Sequence, residues 1–230
     1  MDTRNRMILF NGLVVNVEQM EVRIGTKGWH TFQVVRHPGG VGVLPLHGDG
    51  TVTLIRQLRP AVDDVLLEIP AGRLDPGEEP SACGRRELTE ETGLTAERLE
   101  SLGTILTSPG VFDERIHLFL AVGLTQGEAT PEQYEEIETV RLPLAEALAL
   151  AAEGGIRDGK TIAALLRARC GSHDPDGAGG GRPGRRAARR GGGAALSPAL
   201  QNPDPHHHRL GRMRCGGDHG AGGVPPSSGR

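Results

Sequence analysis

Glu87, Glu90 and Glu91 stand at i, i+3 and i+4 within residues 81–92, a stretch whose composition favours a helix. That spacing puts three carboxylates on one helical face, where their mutual repulsion costs stability. Arg86, next to them in sequence, relieves only part of it. A hard divalent cation would relieve more, and a set of oxygen donors selects magnesium, manganese or calcium over softer metals. Magnesium keeps several of its waters and shares its sphere with substrate phosphates, so helix carboxylates and a pyrophosphate make a coherent site. Three glutamates alone would more simply be a solvated acidic face. Their neighbours separate the two readings. Gly72 suits a turn, Glu78 lies in a loop, and Pro80 suits a first helical turn, where its missing N–H costs nothing. Gly93 suits the stop at the other end.

The elements that position this stretch are strands before it and a mixture after it. Residues 13–15, 31–35, 41–44 and 51–55 are β-rich runs, and His47-Gly48-Asp49-Gly50 carries a hairpin-turn signal. Residues 66–70 form a short strand ended by Pro70. Strands are expected at 116–122 and 138–142, and helices at 81–92, 145–153 and 161–169. The fold class is therefore α/β, with a strand-rich region over residues 1–46 and a domain over 47–170. Residues 171–230 are rich in Gly, Arg, Pro, Ala and His, with few and isolated large apolar residues. Such a segment cannot bury enough surface to offset its ordering entropy and reads as a disordered tail.

The net charge of −3 is unevenly spread. The tail holds nine arginines and four aspartates, leaving 17 basic and 25 acidic residues for the rest. An acidic body is a poor match for nucleic acid, so no nucleic-acid partner is expected. No run approaches the roughly 20 apolar residues that span a bilayer, so no membrane partner is expected either. The apolar run 7–10 is too brief for a signal-peptide core, and the chain reads as cytoplasmic. Cys83, Cys170 and Cys215 are odd in number and far apart, which suits reduced thiols rather than disulfides or a zinc site.

The whole pattern from Gly72 to Leu94 resembles the Nudix box, G-x5-E-x7-R-E-U-x-E-E-x-G-U with U aliphatic. Its nine defined positions, over 23 residues, are Gly72, Glu78, Arg86, Glu87, Leu88, Glu90, Glu91, Gly93 and Leu94. The resemblance implies a Nudix fold, an α/β/α sandwich around a mixed sheet, and a magnesium-dependent pyrophosphohydrolase in which manganese can serve. Glu87 and Glu91 would be the principal metal ligands, completed by the Ala71 carbonyl, with Glu90 assisting. Glu78 and Arg86 would brace the loop and helix. Cys83-Gly84 stands where relatives carry small helix formers such as Ala, and Gly84 would cost up to about 1 kcal/mol of helix stability.

Flanking residues are similar to the ADP-ribose pyrophosphatase subgroup: Gln57-Leu58-Arg59, Glu68-Ile69-Pro70, Ser108-Pro109-Gly110, Arg36-His37-Pro38-Gly39 and Asp158-Gly159-Lys160-Thr161. The resemblance spans about residues 13–169. It implies a nucleoside diphosphate sugar as substrate, ADP-ribose first, cut to AMP and ribose 5-phosphate. Arg36 and Arg59 would face phosphate or the adenosine half, since a guanidinium matches phosphate in charge and geometry. Glu114 would bind hydroxyls of the terminal ribose, and Trp29 or Phe10 would stack on adenine or simply pack. The catalytic base would sit in the acidic segment 132–138, at Glu135 or Glu136. The N-terminal strands would form an intertwined homodimer. The alternatives are another nucleoside diphosphate sugar, or a catalytically silent module that binds a nucleotide.

Overall fold

The computed structural model describes residues 1–131 and 136–171; the tail expected over 171–230 lies outside them except for Gly171, as does the candidate base Glu135. In chain order the strands are β1 (Thr3–Asn11), β2 (Asn16–Arg23), β3 (Trp29–Arg36), β4 (Gly40–Pro45), β5 (Thr51–Arg59), β6 (Asp64–Glu68), β7 (Ala71–Arg73), β8 (Leu94–Leu106), β9 (Arg115–Gln126) and β10 (Ile137–Pro143). The helices are α1 (Pro80–Thr92), α2 (Leu144–Glu153) and α3 (Gly159–Gly171).

β4 is buried at every position, as a strand covered on both faces must be. It pairs in parallel with β9 and antiparallel with β7, while β8 pairs antiparallel with β9. The result is a four-stranded mixed sheet in the order β7-β4-β9-β8. Alternation along the strands gives that sheet two apolar faces. Val41, Val43, Phe119 and Ala121 pack against Cys83 and Leu88 of α1. Leu44, Ile116 and Leu118 turn the other way, onto Val52 and Leu54 of β5 and onto Ala147, Ala164 and Leu165 of α2 and α3. The mixed sheet thus lies between α1 on one side and α2, α3 and a second, antiparallel sheet (β10-β5-β6) on the other. This is the α/β/α Nudix arrangement expected from the sequence.

β1, β2 and β3 form a separate antiparallel sheet. Sheet membership changes between Arg36 and Gly40, ahead of the division expected after Leu46, because β4 is apolar throughout and joins the mixed sheet. On β1, Met7, Ile8 and Phe10 are each more than half exposed. The His47–Gly50 segment does turn tightly: the His47 N–H donates to the Thr51 carbonyl at 2.8 Å, and Gly50 has φ +80°. It links two sheets, however, instead of closing a hairpin within one. β8 is an element the sequence reading assigns to nothing. Ala96 and Leu99 pack on the α1 side of the sheet, Leu102 and Ile105 pack on the other side, and a bulge between Ser101 and Gly103 interrupts the two-residue alternation. Among the described residues no helix is long and apolar enough to cross a membrane.

Candidate active site

α1 begins at Pro80 and ends where Gly93 takes a left-handed φ of +70° and its N–H caps the Thr89 carbonyl. Its buried residues include Cys83, Leu88 and Glu91. Gly84 also faces the sheet: a Cβ there would lie 3.2 Å from Val43 Cγ2 and 3.5 Å from Phe119 Cδ2. The glycine that weakens the helix locally therefore lets it approach the sheet closely, on the face it shares with Glu87 and Glu91, three and seven residues further on.

That approach brings the carboxylates onto β7. Glu91 is 3% exposed, and its Oε2 accepts the Ala71 N–H at 2.8 Å. Glu87 lies directly over Gly72: a Cβ on residue 72 would stand 1.8 Å from Glu87 Oε1. Only a residue without a side chain leaves room for that carboxylate.

Arg86 holds the surrounding charges. It reaches Glu78 through Nε and Nη2, both at 3.1 Å, and its Nη1 meets Glu87 at 2.8 Å and Glu90 at 3.1 Å. Glu78 also accepts the Asp75 N–H at 3.1 Å, tying the loop to the helix. The Arg86 contact first, and the Asp75 N–H second, hold the Glu78 carboxyl down at about 2. Glu78 first, and Glu87 with it, raise the Arg86 pKa above its ordinary value. Cys83 is buried, and its thiol donates to the Arg73 carbonyl at 3.4 Å. Burial first and Glu78 second push that thiol up to about 12, so it is a packing group and not a nucleophile.

The three glutamates expected to act together are shared among different partners: Glu91 with Ala71, Glu87 with Arg86 above Gly72, and the more exposed Glu90 with Arg86. Among the described residues no group of three His, Cys, Asp or Glu side chains is gathered closely enough to hold an ion. Glu87 and Glu91 nevertheless both border β7. Their donors are all oxygen and anionic, and the side-chain-free Gly72 keeps the spot open. The donor set fits a hard divalent cation.

Two clefts meet at β7. The larger, about 700 Å³, is lined by His37, Arg59, Glu114, Ile116 and Lys160 among others. The smaller, about 450 Å³, is lined by Gln57, Asp75, Arg86, Glu87 and Glu90. Arg59, His37 and residues 71–73 border both. Arg59 grips Glu68 with two hydrogen bonds, of 2.9 and 2.7 Å, and Lys160 pairs with the same carboxylate. Burial alone would raise the Glu68 pKa, but the Arg59 and Lys160 contacts outweigh it and hold it below its ordinary value.

Of the substrate residues expected from the sequence, Arg59 and Glu114 reach the larger cleft and Arg36 reaches neither. Its guanidinium is held by Glu18 at 2.8 Å and Asp113 at 3.0 Å, beside a separate hollow of about 270 Å³. Glu136 is exposed just before β10, whose first residue, Ile137, pairs with Gln57 of the smaller cleft. His37 and Lys160 line the clefts without having been singled out from the sequence. Their only signal was membership of the tetrapeptides 36–39 and 158–161.

Gly72→Ala must displace the Glu87 carboxylate, the free end of a flexible side chain, while leaving the fold in place. Turnover is expected to fall by about 100-fold, the scale of a 1 Å misplacement, with the melting temperature little changed. Full activity in this variant would show that the Glu87 position over β7 does not matter.

The NUDIX domain family model matches residues 36–165. The chain is 37% identical over 159 residues to a methanol dehydrogenase activator of Bacillus methanolicus, covering 68% of this chain and 86% of that protein. It is 36% identical over 159 residues to an ADP-ribose pyrophosphatase of Bacillus subtilis, with the same 68% and 86% coverage. A GDP-mannose pyrophosphatase of Yersinia enterocolitica is 34% identical over 180 residues, covering 66% of this chain and 94% of that protein. Among solved structures, an ADP compounds hydrolase superposes with a TM-score of 0.65 at 22% identity, over 73% of this chain and 91% of that one, a likeness of fold. With the box assembled on α1 and β7 and the family model covering more than half its length, the chain belongs to the Nudix family and is a Nudix pyrophosphohydrolase.

Proposed function

We propose that this enzyme hydrolyses the pyrophosphate bond of ADP-ribose, yielding AMP and ribose 5-phosphate, with magnesium or manganese as its cofactor. The observation that carries this reading is the meeting of two clefts at β7. One is bordered by the box carboxylates Glu87 and Glu90, the other by Arg59, Arg73, Lys160 and Glu114. A diphosphate laid across the junction would have its two halves on either side. The named ADP-ribose pyrophosphatase relative supports the choice of substrate.

Glu87, Glu91 and the Ala71 carbonyl would hold the metal, with Glu90 assisting. A divalent cation bound there supplies charge neutralisation of the diphosphate and a more acidic attacking water. The chain's own groups do the rest. Arg59 faces the phosphates. Glu114, beside His37 at 3.3 Å, receives the hydroxyls of the terminal ribose. Glu135 or Glu136 takes the proton of the water as it attacks phosphorus and the bridging P–O bond breaks. Arg36, already engaged by Glu18 and Asp113, braces the 108–113 loop against β2 and β3 instead of touching phosphate. The GDP-mannose pyrophosphatase relative favours a second reading, in which the sugar nucleotide differs and the chemistry is the same.

A homodimer forms part of the proposal. Met7, Ile8 and Phe10 present apolar surface on β1 that a second copy would cover. Sedimentation at micromolar concentration should return a dimer mass, and a monomer would end that part of the reading.

Substrate choice is tested on a panel of ADP-ribose, ADP-glucose, GDP-mannose, NADH, diadenosine polyphosphates and nucleoside triphosphates at fixed magnesium, beside Glu91→Gln. The expected result is release of AMP and ribose 5-phosphate from ADP-ribose by the wild type, with activity at least ~100-fold lower in the variant. Preference for another compound would retain the box chemistry and overturn ADP-ribose. No cleavage with either metal would favour a binding module.

A further inference from the structure

The head of α3 carries a lysine that the reading above leaves without a task. The Lys160 side chain is only 13% exposed, yet it lines the larger cleft beside Arg59. Its ammonium pairs with Glu68 and, at 3.1 Å, with Asp158 Oδ1. Asp158 is itself committed to the start of α3, where its Oδ2 accepts the Thr161 N–H at 2.9 Å and the Thr161 hydroxyl at 2.5 Å. Thr161 in turn accepts the Ile69 N–H at 2.8 Å, which fixes α3 to the chain just before β7.

The charges in this group are unevenly disposed. Glu68 is 1% exposed and borders neither cleft, while both of its cations do. Arg59 alone, with two hydrogen bonds, satisfies a carboxylate. Lys160 is the second cation on that carboxylate and has Asp158 as its other partner, so two cations balance two carboxylates while both cations reach the cleft. An ammonium carries three donors, and its carboxylate partners among the described residues are two. Glu68 therefore acts as a backing plate that fixes one guanidinium and one ammonium with their remaining donors at the cleft.

We infer that Lys160 and Arg59 together form the anion subsite for the sugar-side phosphate, the one that departs on ribose 5-phosphate, with Glu68 as the residue that positions both. The inference rests on the diphosphate-sugar reading of the clefts and adds to it a residue and a direction. The sugar phosphate occupies the larger cleft with Glu114, and the nucleotide half lies toward Glu87 and Glu90.

The test reads binding of the two products separately, without metal and without turnover. Ribose 5-phosphate and AMP are titrated by calorimetry into the full-length wild type, Lys160→Met and Lys160→Arg, with thermal unfolding as a check on folding. The expected result for Lys160→Met is a loss of about tenfold or more in ribose 5-phosphate affinity, the scale of one charge-assisted contact. AMP affinity should stay within about twofold of wild type, and Lys160→Arg should recover most of the loss. Equal losses for both products would show that Lys160 acts only through the fold. Unchanged ribose 5-phosphate binding, or none in the wild type, would overturn the subsite. Should Lys160→Met fail to fold, the Nζ resonance of wild-type Lys160 decides: ribose 5-phosphate should shift it and AMP should not. Turnover is not read, so a different preferred sugar nucleotide would overturn the substrate reading while leaving this outcome legible.

Discussion

A helix carrying three carboxylates on one face has been pressed against a strand, and that contact governs the rest of the site. The contact is possible because β7 offers no side chain at Gly72 and offers a backbone donor at Ala71. Glu91, almost fully buried, accepts that peptide N–H. Arg86 draws Glu78, Glu87 and Glu90 toward one guanidinium and so fixes the loop that leads into α1. Packing and charge point the same way: Gly84 lets the helix lie close to Val43 and Phe119, and that closeness carries the glutamates to β7.

A second polar junction does for the opposite wall what Arg86 does for the first. Arg59 comes from β5, Glu68 from β6, and Lys160 from α3. Their meeting fixes three elements around one buried carboxylate. Removing a single partner from such a group is expensive, about 3–5 kcal/mol for buried pairs in general, because the charge left behind stays buried. Of the two clefts that meet at β7, one offers the box carboxylates Glu87 and Glu90 and the other offers Lys160 and Glu114, with Arg59 and Arg73 common to both. That mixture of charges suits a molecule with a charged diphosphate centre and two polar ends.

What could be read in the sequence was mostly local. Gly72, Glu78, Arg86 and the three glutamates lie within two dozen residues, and turn and helix chemistry orders them without help from distant parts of the chain. The bracing role expected of Glu78 and Arg86 matches their mutual hydrogen bonds. The long-range contacts were not legible. Arg36 is taken by Glu18, 18 residues before it, and Asp113, 77 residues after it, and no pattern near Arg36 announces either. Lys160 meets Glu68 across 92 residues. β8 went unassigned because its apolar residues are divided between the two faces of the sheet and a bulge interrupts their alternation. Periodicity and capping are properties of neighbouring residues; which charge finds which is decided by how sheets stack.

Glu87 and Glu91, held at β7, are the cation site proposed for this enzyme. The direct test is the free-ion electron paramagnetic resonance signal of manganese titrated into the wild type and into Glu87→Gln and Glu91→Gln. The wild type is expected to quench the signal, and either substitution to weaken binding by at least about tenfold through loss of an anionic ligand. If both variants bind manganese as tightly as the wild type, the contact between α1 and β7 is structural and the metal, if one is used, lies elsewhere.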